Sequence, residues 1–293
     1  MKLLSRVLIW LLAAGLVAGQ STTPPLPANV ELVRGVAFCQ GGGRTLKLHI
    51  VRPKPQPAAP MPVVVWVHGG GWRSGNKEQG LARIIPLAQR GYLGVTVEYR
   101  LSQEAIFPAQ IEDVKCAIRF LRAKAKEYGL DSEHIGAWGS SAGGHLVALL
   151  GTSGGVTELE GKGGWADYSS RVQAVVDWFG PTDFSLINRP DPMGAENLLL
   201  GGTPAQKPEL ARLASPVAHV SADDPPFLIQ HGDRDPLVPV EQSKLFEAAL
   251  KAAGVSAALT ILPGAGHGGA AFTTTENLEK IYGFFDQVLL QKR

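Results

Sequence analysis

Five residues, Gly139-Ser140-Ser141-Ala142-Gly143, have the G-x-S-x-G spacing that lifts a serine out of a sharp strand-to-helix turn. A short apolar run at 135–138 precedes them and a helix-compatible stretch at 145–150 follows. Backbone crowds such a turn, so the residues two before and two after the nucleophile must be small. Ser141 has glycine at both positions, whereas Ser140 would have Trp138 at one of them. The spacing therefore selects Ser141 as the nucleophile. A helix starting there also aims backbone N–H groups at developing negative charge.

Two further loops carry complementary chemistry. His68-Gly69-Gly70-Gly71-Trp72 directly follows a strand pattern at 63–67. Glycines let the backbone approach a substrate oxygen closely. The amides of Gly70, Gly71 and Ala142 are the expected oxyanion hole, with the amide of Trp72 as a substitute. Trp72 and Ser140 are expected to line the substrate pocket, and His68 to brace its loop. Late in the chain, a strand pattern at 227–230 runs into His231-Gly232-Asp233-Arg234-Asp235. Another at 258–262 runs into Pro263-Gly264-Ala265-Gly266-His267. An acid just past one strand end can reach a histidine past the next, completing a serine, acid and base in chain order.

Strands must hold these loops. Short apolar runs at 63–67, 93–99, 135–138, 172–179, 227–230 and 258–262 have the pattern of strands buried on both faces. Helical stretches alternate with them: 108–128, with apolar residues on one face and basic ones in its last turns, 240–253 before the stop at Gly254, and 276–290. Two early strands, 32–38 and 47–51, pair through a turn at Gly41-Gly42-Gly43. The fold class is therefore α/β, with a mostly parallel eight-stranded sheet and helices on both faces. Residues 31–293 read as one domain, and the Pro- and Gly-rich stretch 183–224 as an insertion that serves as a partial lid.

These motifs together resemble α/β-hydrolase esterases: the group related to hormone-sensitive lipase and, more closely, the bacterial bifunctional feruloyl/acetyl esterases. The similar stretches are HGGGW (68–72), YRLS (99–102), FPAQIEDVKCAIRFLR (107–122), GSSAGGH (139–145), VVDWFGPTDF (175–184) and HGDRDPLVP (231–239). The resemblance implies that the acid is the second Asp of HGDxD, so the triad is Ser141, Asp235 and His267. It implies hydrolysis of short-chain or aromatic-acid esters, free or linked to polysaccharide, through an acyl-enzyme and with no cofactor or metal. Ser140 stands where many hormone-sensitive-lipase relatives have Asp, which moves the likeness towards the feruloyl-esterase group. An amidase or peptidase of the same fold, such as an arylformamidase-like enzyme, is the alternative. A non-catalytic binding protein is another, although such proteins usually lose a triad residue.

Composition narrows the class. Of 293 residues 35 are glycine, and ten of these flank the three chemical loops. The formal charge of +2 gives no case for nucleic acid, and it resides in Lys2 and Arg6. These two lead an apolar run at 7–17 and a small-residue Val17-Ala18-Gly19 site, the pattern of a cleaved export signal over 1–19. Residues 20–30 read as an extended segment. The expected product is a secreted or periplasmic protein without stable membrane association, of unspecified oligomeric state. A Cys39–Cys116 bridge is conceivable in an oxidising compartment, but the spacing does not call for it, and Cys116 reads as a buried small hydrophobe. His49, His134, His145, His219 and His231 read as packing or surface residues, with His145 the least settled. Arg100 and Asp113 read as structural polar groups near the sheet. Trp165, Trp178, Phe179 and Phe184 divide between pocket and core.

Overall fold

In the computed structural model, residues 25–187, 191 and 193–290 are described; the expected export signal at 1–19 lies outside them. Eight strands form one sheet: β1 (Val30–Gly41), β2 (Arg44–Pro53), β3 (Met61–Val67), β4 (Leu93–Val97), β5 (Leu130–Ser140), β6 (Ala174–Trp178), β7 (Phe227–Gly232) and β8 (Ala257–Leu262). Their order is β1-β2-β4-β3-β5-β6-β7-β8. β2 runs antiparallel to both β1 and β4, and every other neighbouring pair is parallel. β1 and β2 form the expected hairpin, turning at Gly42 and Gly43.

The helices are α1 (Leu81–Gln89), α2 (Ala109–Ala123), α3 (Ala125–Tyr128), α4 (Ala142–Thr152), α5 (Ala195–Leu200), α6 (Pro208–Ala214), α7 (Glu241–Ala252) and α8 (Thr275–Leu289). The strand β3 shows why both faces need cover. Val63, Val65 and Val67 pack into one core with Ile111 and Val114 of α2, Leu146 of α4 and Phe246 of α7. Val64 and Trp66 point the other way, into a second core with Ile84 of α1 and Phe285 of α8. A run of consecutive apolar residues is thus the signature of a strand between two helical layers.

Some boundaries differ from the sequence expectation. The stretch 108–128 is two helices, broken at Lys124, whose φ of −106° and ψ of 15° leave the helical region. α1 carries Pro86 inside it and was not anticipated; its buried face of Leu81, Ile84, Ile85, Leu87 and Ala88 supplies the stability that proline removes. Within 183–224, Leu199, Leu200, Ala211 and Ala214 are buried in the core, so α5 and α6 are packed onto the body. Cys39 and Cys116 form a disulfide between β1 and α2, with Cα atoms 6.4 Å apart. Cys116 is buried as expected but is not a free thiol.

Candidate active site

All three candidate groups stand at the carboxyl ends of parallel strands: Ser141 after β5, Asp235 after β7, His267 after β8. Register brings these ends side by side, because β5 pairs with β6, β6 with β7 and β7 with β8. The Ser141 Oγ lies 2.8 Å from His267 Nε2, and His267 Nδ1 lies 2.7 Å from Asp235 Oδ2. The other carboxylate oxygen of Asp235 accepts the amides of Leu237 at 2.8 Å and Val238 at 2.9 Å. Burial opposes ionisation of this carboxyl. Hydrogen bonds from His231, His267 and the two amides outweigh it and hold the acid far below the usual carboxylate range.

Ser141 sits at φ 55° and ψ −121°, a conformation that is strained for any residue with a side chain. The strain persists because the turn is fixed on all sides. Its amide donates to Trp178 O at 2.8 Å, and its carbonyl accepts the His145 amide at 2.9 Å. A Cβ on Gly139 would collide with the carbonyl of Gly143, and one on Gly143 with the carbonyls of Val67 and His68. The small residues at both flanks are therefore a packing necessity. Ala142 opens α4, where the first amides have no partner inside the helix.

The glycine loop faces this serine. A Cβ on Gly69 would lie 3.3 Å from Ser141 Cβ. The Gly70 carbonyl is occupied within the loop by the amides of Arg73 and Ser74, at 3.2 and 3.1 Å. Gly70 and Gly71 have φ of 113° and 59°, a turn open to glycine. Among the described residues neither of their amides has a hydrogen-bond acceptor. With Ser140, Ser141, Trp72 and His267 they line one cavity of about 710 Å3.

Several supporting groups have partners that the sequence did not specify. His145 is fully buried; its Nε2–H donates to Ala214 O at 2.7 Å, so its Nδ1 accepts the Trp72 indole N–H at 3.1 Å. It therefore ties the glycine loop to the insertion. His231, equally buried, places Nε2 2.8 Å from Val238 O and 3.3 Å from Asp235 Oδ2, with Ser243 Oγ 2.7 Å from Nδ1. Asp233, the other acid of its loop, accepts the Gly264 amide at 2.6 Å and so pins the turn that leads to His267. Asp177 lies beneath the serine turn, one oxygen accepting the Gly180 amide at 2.9 Å and the other unpartnered among the described residues. Burial pushes its carboxyl up to about 6.

Other expectations resolve individually. His68 stacks on Tyr99 at 4.3 Å and keeps Nδ1 2.8 Å from the Gly69 carbonyl, the bracing role foreseen for it. His49, His134 and His219 pair with Glu78, Asp131 and the Leu213 carbonyl, outside the site. Arg100 and Asp113 form a two-pronged ion pair that anchors the strand end after β4 to α2. Phe179 packs 4.7 Å from the His267 ring and lines the cavity, whereas Phe184 is core. Trp178 is buried, and Trp165 lies away from the site, donating to Phe38 O at 2.8 Å.

A nucleophile turn after the fifth strand of such a sheet, with acid and base loops after the seventh and eighth, defines the α/β-hydrolase fold. Residues 48–250 match the BD-FAE family, and the chain belongs to it. Esterase LipC of Mycobacterium tuberculosis is 37% identical over 227 residues, which are 75% of this chain and 56% of LipC. The chain spans about half the length of the relatives it matches. A solved "truncated form of carbohydrate esterase from gut microbiota" superposes with TM-score 0.81 at 34% identity, covering 88% of this chain and 95% of the other. Esterase 2 of Thermogutta terrifontis, solved phosphorylated by paraoxon, superposes with TM-score 0.75 at 29% identity, covering 90% and 95%.

Proposed function

We propose that this chain is a serine carboxylic-ester hydrolase, exported from the cell, acting on short-acyl or aromatic-acid esters, including acetyl and feruloyl esters of plant polysaccharide. The observation that carries the reaction is the continuous relay from Ser141 Oγ through His267 to Asp235, at 2.8 and 2.7 Å. His267 Nε2 takes the hydroxyl proton as Ser141 Oγ attacks the ester carbonyl. Asp235 keeps the proton on Nδ1 and stabilises the imidazolium that forms. The amides of Gly70, Gly71 and Ala142 receive the oxyanion. His267 then protonates the departing alcohol, and water repeats the sequence on the acyl-enzyme.

The covalent phosphorylation of the Thermogutta esterase supports a nucleophilic mechanism, and the gut carbohydrate esterase supports a polysaccharide-linked substrate. The basic and apolar start of the chain supports export, as does the Cys39–Cys116 disulfide, since such bonds persist in oxidising compartments. Ser141→Ala is expected to lower p-nitrophenyl acetate hydrolysis by at least about 10⁴-fold with the circular dichroism unchanged. Retained activity would overturn the mechanism. In a panel of acetyl, butyryl, octanoyl and feruloyl esters with acetylated xylan, a preference for octanoyl would overturn the substrate reading.

A further inference from the structure

A second cavity of about 230 Å3 adjoins the one that holds Ser141, and its walls include Trp66, Gln79, Arg83, Ser140 and Trp178. The two cavities share Gly69, Gln79, Ser140 and Phe179 as common wall. Arg83 projects from α1 with its guanidinium carbon 5.5 Å from the Trp178 ring. Arg44, Arg52, Arg90, Arg100 and Arg119 each hold a carboxylate. Arg83 has no hydrogen bond or ion pair among the described residues, and burial lowers its pKa below the usual arginine value.

It is not alone in lacking an acceptor. The exposed side chain of Gln79 and the hydroxyl of Ser140 also make no hydrogen bond to described residues. A half-buried guanidinium with no acceptor beside it is costly to leave unpaired, and it stands in one small cavity with the Gln79 amide and the Ser140 hydroxyl. The complementary ligand is an acceptor that carries negative charge. A planar carboxylate meets the guanidinium fork with two hydrogen bonds, and the indole and phenyl walls accept the ring or chain that bears it.

Gly268 and Gly269, which also line the cavity, directly follow His267, the group that hands a proton to the leaving oxygen. The larger cavity contains Ser141 and His267 and also reaches Met193 and Leu237. Resting on the serine-esterase reading above, we propose that the small cavity is an alcohol-side subsite for a carboxylate carried on the leaving group, with Arg83 as its specificity-determining residue.

The test compares three esters on the wild-type chain, Arg83→Gln and Arg83→Lys. They are 4-acetoxybenzoate, its neutral counterpart 4-acetoxybenzamide, and 4-nitrophenyl hemisuccinate, whose carboxylate is on the acyl side. The expected result is a fall of about tenfold or more in the benzoate-to-benzamide ratio of kcat/KM in Arg83→Gln. The fall should be carried by KM and partly restored in Arg83→Lys. An unchanged ratio, in variants with unchanged melting temperature, overturns the subsite alone. A selective loss on the hemisuccinate overturns the alcohol-side placement. A wild-type chain that hydrolyses none of the three overturns the esterase reading and the subsite with it.

Discussion

Within the Ser141–His267–Asp235 set, charge rests on one carboxyl. Asp235 stays ionised because four donors surround it, while burial holds His68 and His145 near 4 and therefore neutral at pH 7. Asp177 is the opposite case, an acid raised to about 6 by burial with one oxygen unpartnered. Its folded pKa exceeds the unfolded value, so the stability tied to its protonated form is complete below about pH 4 and is lost as pH rises through 6. Asp177→Asn keeps a neutral acceptor for Gly180. The expected outcome is a higher melting temperature than wild type at pH 8, with the difference shrinking towards pH 4. A constant difference would contradict it. The meeting of Ser141, His267 and an acid of the 231–235 loop was legible because each follows a strand and keeps chain order, while the choice of Asp235 over Asp233 came from the family resemblance. His145 and Asp177 were not legible, since their roles arise from partners such as Trp72, 73 residues away, that only folding supplies.

The decisive element is the turn between β5 and α4. The close approach of Gly143 to the carbonyls of Val67 and His68 locks the serine turn to the end of β3, where the glycine loop begins. Gly143→Ala forces these apart. It is expected to lower kcat/KM by about 10²-fold, the scale of a displacement of roughly 1 Å in a catalytic group, and to lower the melting temperature. Steady-state kinetics beside thermal unfolding would show it; wild-type values in both would refute the packing argument. His145→Phe keeps a ring against Trp72 and Phe184 but removes the acceptor for the indole N–H. It should destabilise by about 1–3 kcal/mol in urea unfolding. Strands were legible as unbroken apolar runs, since both faces are covered. α1 was not, because Pro86 masks a helix that its buried face nonetheless sustains.

Across the whole molecule, one sheet separates two cores, and the site gathers at the carboxyl ends of its parallel strands. The Cys39–Cys116 bridge joins the outermost strand to α2 across a sequence separation of 77. Such a separation could not be read from spacing, because the hairpin register and the seating of α2 together bring the two cysteines close. Replacing both with Ala is expected to cost about 2–4 kcal/mol in denaturant unfolding while p-nitrophenyl acetate hydrolysis at 25 °C persists. Equal stability of the two forms would contradict the disulfide's role. In the proposed reaction everything turns on Ser141, and not its neighbour Ser140, being the nucleophile. Reaction with a fluorophosphonate followed by peptide mass spectrometry tests it directly. A single adduct on Ser141 that appears as esterase activity disappears is the expected result; an adduct on Ser140, or inactivation without either, would overturn the assignment.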